Sequence, residues 1–153
     1  MDLPDLAATR ALGRRLADAL RPGDVVALRG ALGAGKSELA RSAIRARAGA
    51  EIEVPSPTFT LVQPYDLPGL TLWHVDLYRL TDPEEALELG LEDAAAEVAL
   101  LIEWPERMAD LLPPERLDVT LETVGAAGEA RRARLRATGP SWAGRLAALV
   151  PRG

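Results

Sequence analysis

"VVALRGALGAGKSELARSAIRARAG", residues 25–49, passes from an apolar run through a glycine-rich loop into a stretch of helical composition. The run VVALRG predicts a short buried strand, and KSELARSAIRARAG predicts a helix that closes at Gly49, a residue suited to a C-cap. Between them, Gly30, Gly35, Lys36 and Ser37 satisfy the pattern G-x-x-x-x-G-K-[ST]. The spacing has a physical basis. Glycines at 30, 33 and 35 let the backbone of Gly30, Ala31, Leu32, Gly33, Ala34 and Gly35 wrap a phosphate with its N–H groups turned inward. The helix that follows aims its positive end at the same anion. Lys36 is a flexible point charge able to reach β and γ phosphates, and Ser37 offers a hydroxyl to Mg²⁺. Lys36 is also the chain's one lysine; every other basic side chain of this class is an arginine, whose planar fork requires a different approach to a phosphate.

Around this centre the chain alternates strand and helix signals. Leu6, Leu12, Leu16 and Leu20 fall near one helical face before a turn at RPGD. Beyond Gly49, Pro55 and Pro57 keep VPSPTF out of a helix. FTLVQPY and LTLWHVDLYRL predict strands. DPEEALELGLEDAAAE predicts a helix with Asp82 as N-cap and Pro83 at its first position. VALLIEW is continuously apolar, the mark of a strand buried on both faces. PERMADLLPPE predicts a short helix and turn. RLDVTLETVG and EARRARLRATG predict an antiparallel pair across GAAGE, and SWAGRLAALV a closing helix. The expected fold is a three-layer α/β domain spanning 1–153, with a mostly parallel central sheet and a late antiparallel hairpin.

Composition narrows the function classes. The formal net charge of −5 opposes free-standing nucleic-acid binding, which needs a basic surface to displace phosphate counterions. With no cysteine and one histidine, disulfides, thiolate metal sites and His-rich metal sites are excluded. The opening MDLPDLAATR has neither a basic segment nor an apolar core, and no apolar run is long enough to cross a bilayer. The expectation is a cytoplasmic protein.

Two carboxylates stand apart from the other acids. Asp76 follows LTLWHV and Glu103 follows VALLI, each at the C-terminal end of an expected strand. Parallel α/β sheets bind ligands beyond those ends, and the phosphate loop leaves VVALRG at the same edge. Mg²⁺ takes hard oxygen ligands, and phosphoryl transfer needs a group that positions or deprotonates the nucleophile; Asp76 and Glu103 share those tasks. SPTFTLV, before the Asp76 strand, is placed to act as a switch segment through Thr58 or Thr60. His74 is expected to be a packed, hydrogen-bonded residue rather than a base. Trp104, one position past Glu103, is expected in the core or as a cleft wall. Arg131, Arg132, Arg134 and Arg136 are expected to form a solvated strand face.

GALGAGKSELAR, SPTFTLVQPY, HVDLYRL, DPEEALELGLED and LIEWPER occur in this order along the chain. Together they resemble the bacterial TsaE (YjeE) family of P-loop ATPases of tRNA threonylcarbamoyladenosine biosynthesis, over nearly the whole sequence. HVDLYRL and LIEWPE are far more specific than the loop. The resemblance implies a Mg²⁺-dependent ATPase, feeble alone, that resets a threonylcarbamoyl transferase and its paralogous scaffold subunit between rounds. That complex modifies the adenosine beside the anticodon, so contact with tRNA is indirect, and no membrane is involved. It further implies that Ser37 and Glu103 hold Mg²⁺, that Asp76 is the second essential acid, that Thr58 lies on the switch, and that Thr9 and Arg131 contact nucleotide. The family commonly has Thr-Thr after the lysine. Here Ser37-Glu38 keeps the first hydroxyl and adds a charge, expected to face away along the helix.

Two other readings compete. A nucleoside- or shikimate-type P-loop kinase shares this length and loop but needs an acceptor pocket and an Arg-bearing lid, for which the sequence has no distinct insertion. A nucleotide-binding regulatory module would bind without turnover.

Overall fold

A computed structural model of the chain describes residues 1–125 and 128–151. Its elements are β1 (Asp2–Leu3), α1 (Leu6–Ala19), β2 (Val25–Arg29), α2 (Lys36–Ala48), β3 (Val62–Leu67), β4 (Leu70–Asp76), the single turns α3 (Glu85–Glu88) and α4 (Leu91–Ala94), β5 (Ala99–Glu103), β6 (Arg116–Thr123), β7 (Arg131–Thr138) and α5 (Pro140–Ala143). Two 3-10 segments, Pro105–Leu111 and Leu146–Leu149, complete it. The seven strands form one sheet in the order β1-β7-β6-β2-β5-β4-β3. Strands β6, β2, β5 and β4 run parallel. Antiparallel β3 covers one edge, and the β7 hairpin with β1 covers the other. This is the mixed α/β sheet expected from the sequence.

Strands β2 and β5 read as apolar runs because each feeds two cores. Val26, Leu28, Leu101, Leu117 and Val119 pack beneath α1 and α2, with Trp142 and Leu149 of the C-terminal segment. Val25, Ala27, Leu100 and Ile102 point the other way, onto Leu80, Ala86, Leu91 and Met108. Alternation within one strand therefore serves opposite layers. The first layer is thick and helical, the second a set of short turns.

Three expected elements differ in detail. The helix expected over DPEEALELGLEDAAAE starts later than Asp82: α3 begins at Glu85 with Glu84 as N-cap, while in the turn before it Asp82 Oδ1 accepts from the Glu84 N–H and Glu85 Oε1 from the Asp82 N–H. It is then cut into α3 and α4 by Gly90 at φ 75°. The closing helix is likewise two short pieces on either side of Gly144. Its anchor is Arg145, which grips both carboxylate oxygens of Asp24 at 2.8 and 2.6 Å. Strand β3 starts at Val62 rather than Phe59. The expected turn across 125–129 includes residues 126 and 127, which lie outside the described residues.

Helices α1 and α2 approach closely at one point. A Cβ on Gly13 would lie 2.6 Å from Ser42 Cβ and 3.1 Å from the backbone nitrogen of Ala43. Neither neighbour can retreat without moving α2, which carries Lys36 at its first position. Gly13→Ala is therefore expected to cost about 1–3 kcal/mol through overpacking, read as a lower urea midpoint at unchanged slope. An unmoved midpoint would show that the helix pair has slack there.

Candidate active site

Residues 30–35 form a loop between the end of β2 and the start of α2. Gly30 has φ 144°, and a Cβ on it would lie 2.5 Å from the Leu121 carbonyl oxygen of β6. Only glycine permits that turn so close to the neighbouring strand. The loop is also held from outside. Arg131 of β7 donates from Nε to the Ala34 carbonyl (2.9 Å) and from Nη2 to the Gly33 carbonyl (3.2 Å). Its remaining nitrogen donates to the Gly128 and Ala130 carbonyls. Arg131 thus reaches the loop through carbonyls, whereas Arg132 and Arg134 lie on the exposed hairpin face and pair with Asp2 and Glu122.

A cleft of about 430 Å³ opens in front of the loop, lined by Leu32, Gly33, Gly35, Lys36, Ser37, Glu38, Ser56, Thr58, Asp76, Tyr78, Glu103 and Trp104. Parallel pairing delivers the two acids to it, since Asp76 and Glu103 are register partners in β4 and β5 and Leu28 of β2 stands beside Glu103. Ser37 Oγ donates to Glu103 Oε1 at 2.8 Å. Glu103 Oε2 lies 2.6 Å from His74 Nε2. Asp76 accepts from Thr58 Oγ1 at 3.0 Å on one oxygen and from the Tyr78 N–H at 2.9 Å on the other. Thr58 is itself 2.8 Å from Ser56 Oγ. The segment expected to act as a switch is thus latched to Asp76 through Thr58, while Thr60 is exposed. Thr9 is buried on α1 and does not line the cleft.

Lys36 is 5 % exposed. Its ammonium donates to the Gly30 carbonyl and sits 3.5 Å from the centre of the Trp104 ring, a cation–π contact. Trp104 reaches that place because β5 stops at Glu103 and Trp104 turns into the left-handed region, φ 59° and ψ 48°, before Pro105. The conformation is strained for a bulky residue, and strain of this kind collects at functional sites. Tyr78 packs on the same ring, centroids 5.0 Å apart. Trp104 meets both sequence expectations, lining the cleft and packing against the second core. Glu38 contributes to the cleft rim, but its carboxylate turns along the helix as expected, held by Arg10 of α1 at 3.0 Å and by Arg41 one turn on at 2.9 Å, so its charge is matched before any anion approaches.

Ser37 Oγ, Glu103, Asp76 and Thr58 Oγ1 are hard oxygen donors on one cleft. That set fits Mg²⁺, which takes one or two protein carboxylates and fills its shell with water and substrate phosphates. Among the described residues no three His, Cys, Asp or Glu side chains form a closed metal cage, which a cation shared with phosphates does not require.

A strand, a glycine loop wrapped under a helix N-terminus, and two acids on the neighbouring parallel strands define a P-loop α/β protein. The family model described as "Threonylcarbamoyl adenosine biosynthesis protein TsaE" matches residues 3–133. The tRNA threonylcarbamoyladenosine biosynthesis protein TsaE of Rickettsia felis is 44% identical over 116 residues, 76% of this chain and 68% of that protein. Its Bacillus subtilis counterpart is 36% identical over 118 residues, 76% and 73% of the two chains. The crystal structure of Bacillus subtilis YdiB superposes with a TM-score of 0.76 at 28% identity, covering 91% of this chain and 84% of that one. The chain belongs to the TsaE family of tRNA threonylcarbamoyladenosine biosynthesis proteins. Among its described residues no helix is long and apolar enough to cross a membrane.

Burial lowers the Lys36 pKa from the ordinary lysine range, and attraction to Glu103, Glu106 and Asp76 opposes the shift. The unfolded chain then holds this proton more tightly than the folded one. Stability is reduced below the lowered folded value and recovers as pH rises from it toward the unfolded value. Lys36→Met is expected to melt higher than the wild type at neutral pH, with a margin that shrinks toward alkaline pH. Thermal denaturation across pH checks this. A less stable variant at neutral pH would contradict the desolvation argument.

Proposed function

We propose that this chain is a Mg²⁺-dependent ATPase that supports formation of the threonylcarbamoyl group on the tRNA adenosine beside the anticodon. The observation that carries this is the 2.8 Å contact between Ser37 Oγ and Glu103 Oε1. It joins the hydroxyl of the phosphate loop to a strand-end acid 66 residues away, beside the buried lysine.

Each residue has a task. The backbone N–H groups of residues 30–35 and the N-terminus of α2 receive the β and γ phosphates. Lys36 neutralises the charge that develops on them. Ser37 and Glu103 hold Mg²⁺, with Asp76 beside them. When bound, the metal supplies Lewis-acid stabilisation of the phosphate oxygens. The acid not occupied by the metal orients the attacking water. Trp104 keeps the Lys36 ammonium aimed along the cleft and walls it from solvent. Thr58 releases or remakes its bond to Asp76 as the cleft fills. Arg131 contributes by stiffening the loop. The kinase alternative draws no support here, because among the described residues no arginine lines the cleft.

The partners are the threonylcarbamoyl transferase and its paralogous scaffold subunit, in the cytoplasm. Family membership supports this assignment, and the charge of −5 agrees with reaching tRNA only through the complex. Hydrolysis should be slow for the isolated chain and rise when both subunits are added; a rate indifferent to them would remove the partner role. Glu103→Ala should lower turnover by at least about 100-fold while an ATP analogue still binds. Phosphate release and analogue titration measure the two, and normal turnover would take Glu103 out of the mechanism.

A further inference from the structure

We propose that His74 is a positioning residue for Glu103: its Nε2–H fixes one carboxylate oxygen so that the other stays on Ser37 and the metal-binding edge of the cleft. The proposal rests on the ATPase assignment above and adds to it a residue outside the cleft wall. His74 lies on β4 on the same face as Leu70, Leu72 and Asp76, and is 1 % exposed. Its Nε2 is 2.6 Å from Glu103 Oε2, and both side chains are almost completely buried.

The protons can be assigned from the partners. His74 Nδ1 has no hydrogen-bond partner among the described residues. An imidazolium, or a tautomer protonated at Nδ1, would bury an N–H with no acceptor. The neutral ring protonated at Nε2 leaves only a lone pair unmatched and gives the Glu103 carboxylate a donor. Glu103 then has one oxygen held by the ring and the other by Ser37. Packing alone does not account for the histidine. Leu70 and Leu72 fill the same face of the strand without a polar atom, and a third apolar side chain would leave no orphaned nitrogen. A donor behind a ligating carboxylate is the arrangement by which metal ligands are oriented, and its loss typically costs about 10–100-fold in metal affinity or activity.

The glutamine and asparagine variants separate positioning from packing. The amide nitrogen of His74→Gln reaches the place of Nε2, whereas that of His74→Asn reaches only the place of Nδ1, and His74→Leu donates nothing. In ATP turnover, His74→Asn and His74→Leu should lose about 10–100-fold in kcat with little change in the KM for ATP, while His74→Gln stays near the wild type. A second readout needs no hydrolysis: Mg²⁺ is titrated into the full-length protein with a fluorescent ATP analogue. The half-saturating Mg²⁺ concentration should rise about tenfold or more in the Asn and Leu variants and not in the Gln variant. Affinity without Mg²⁺ should be unchanged in all three. Equal Mg²⁺ midpoints in the Gln and Asn variants, or a wild-type midpoint in His74→Leu, would overturn the proposal, as would effects that follow melting temperature alone. A wild-type protein that binds the analogue but never turns over ATP would overturn the ATPase assignment, and the Mg²⁺ midpoints would still decide the role of His74.

Discussion

Parallel pairing of β4, β5 and β2 is the constraint on which the site depends. It puts Asp76 opposite Glu103 and Glu103 opposite Leu28, so that two acids and the root of the phosphate loop finish at one sheet edge. The strands are held there by apolar side chains on both faces. Removing a buried methyl or methylene group in such a core costs stability and also shifts its neighbours. The apolar layers therefore set the positions of the polar atoms to within hydrogen-bond distance. The site inherits its accuracy from the sheet and only its chemistry from the loop.

Four polar or charged groups, Lys36, His74, Asp76 and Glu103, are buried around that edge. Each has a partner. Lys36 has a carbonyl and the face of Trp104; Glu103 has Ser37 and His74; Asp76 has Thr58 and the Tyr78 N–H. Buried charges persist only with such compensation. The arrangement still carries a cost, seen in the lowered pKa of Lys36 and in the left-handed backbone of Trp104. Stability given up at one point is a familiar companion of a preorganised electrostatic site. Thr58 reaches Asp76 from the long loop between α2 and β3, which lets that loop respond to an occupant or a partner.

Much of this was legible in the sequence for a definite reason. Continuous apolar runs mark strands covered on both faces, and the residue ending such a strand faces the ligand edge, so Asp76 and Glu103 were identifiable without coordinates. The phosphate loop carries its own spacing rule. Other features depend on contacts that no local pattern encodes. Strand β1 is two residues long and exists by pairing with β7. The His74–Glu103 contact spans 29 residues and becomes visible only once the register of β4 on β5 is known. Arg131 looked like one of four solvated arginines, yet it reaches back 97 residues to the Ala34 carbonyl. The break at Gly90 and the turn of Trp104 before Pro105 did have local signals, a glycine within a helical pattern and a proline ending a strand.

The central claim is that residues 30–37 with Asp76 and Glu103 form a Mg²⁺–nucleoside triphosphate site. Calorimetric titration of the wild-type chain with ATP, ADP and AMP, each with and without Mg²⁺, tests it most directly. The account predicts that affinity comes from the distal phosphates: AMP binds at least about tenfold more weakly than ATP, and Mg²⁺ strengthens ATP but not AMP. Equal affinity for the three nucleotides, or indifference to Mg²⁺ throughout, would contradict it.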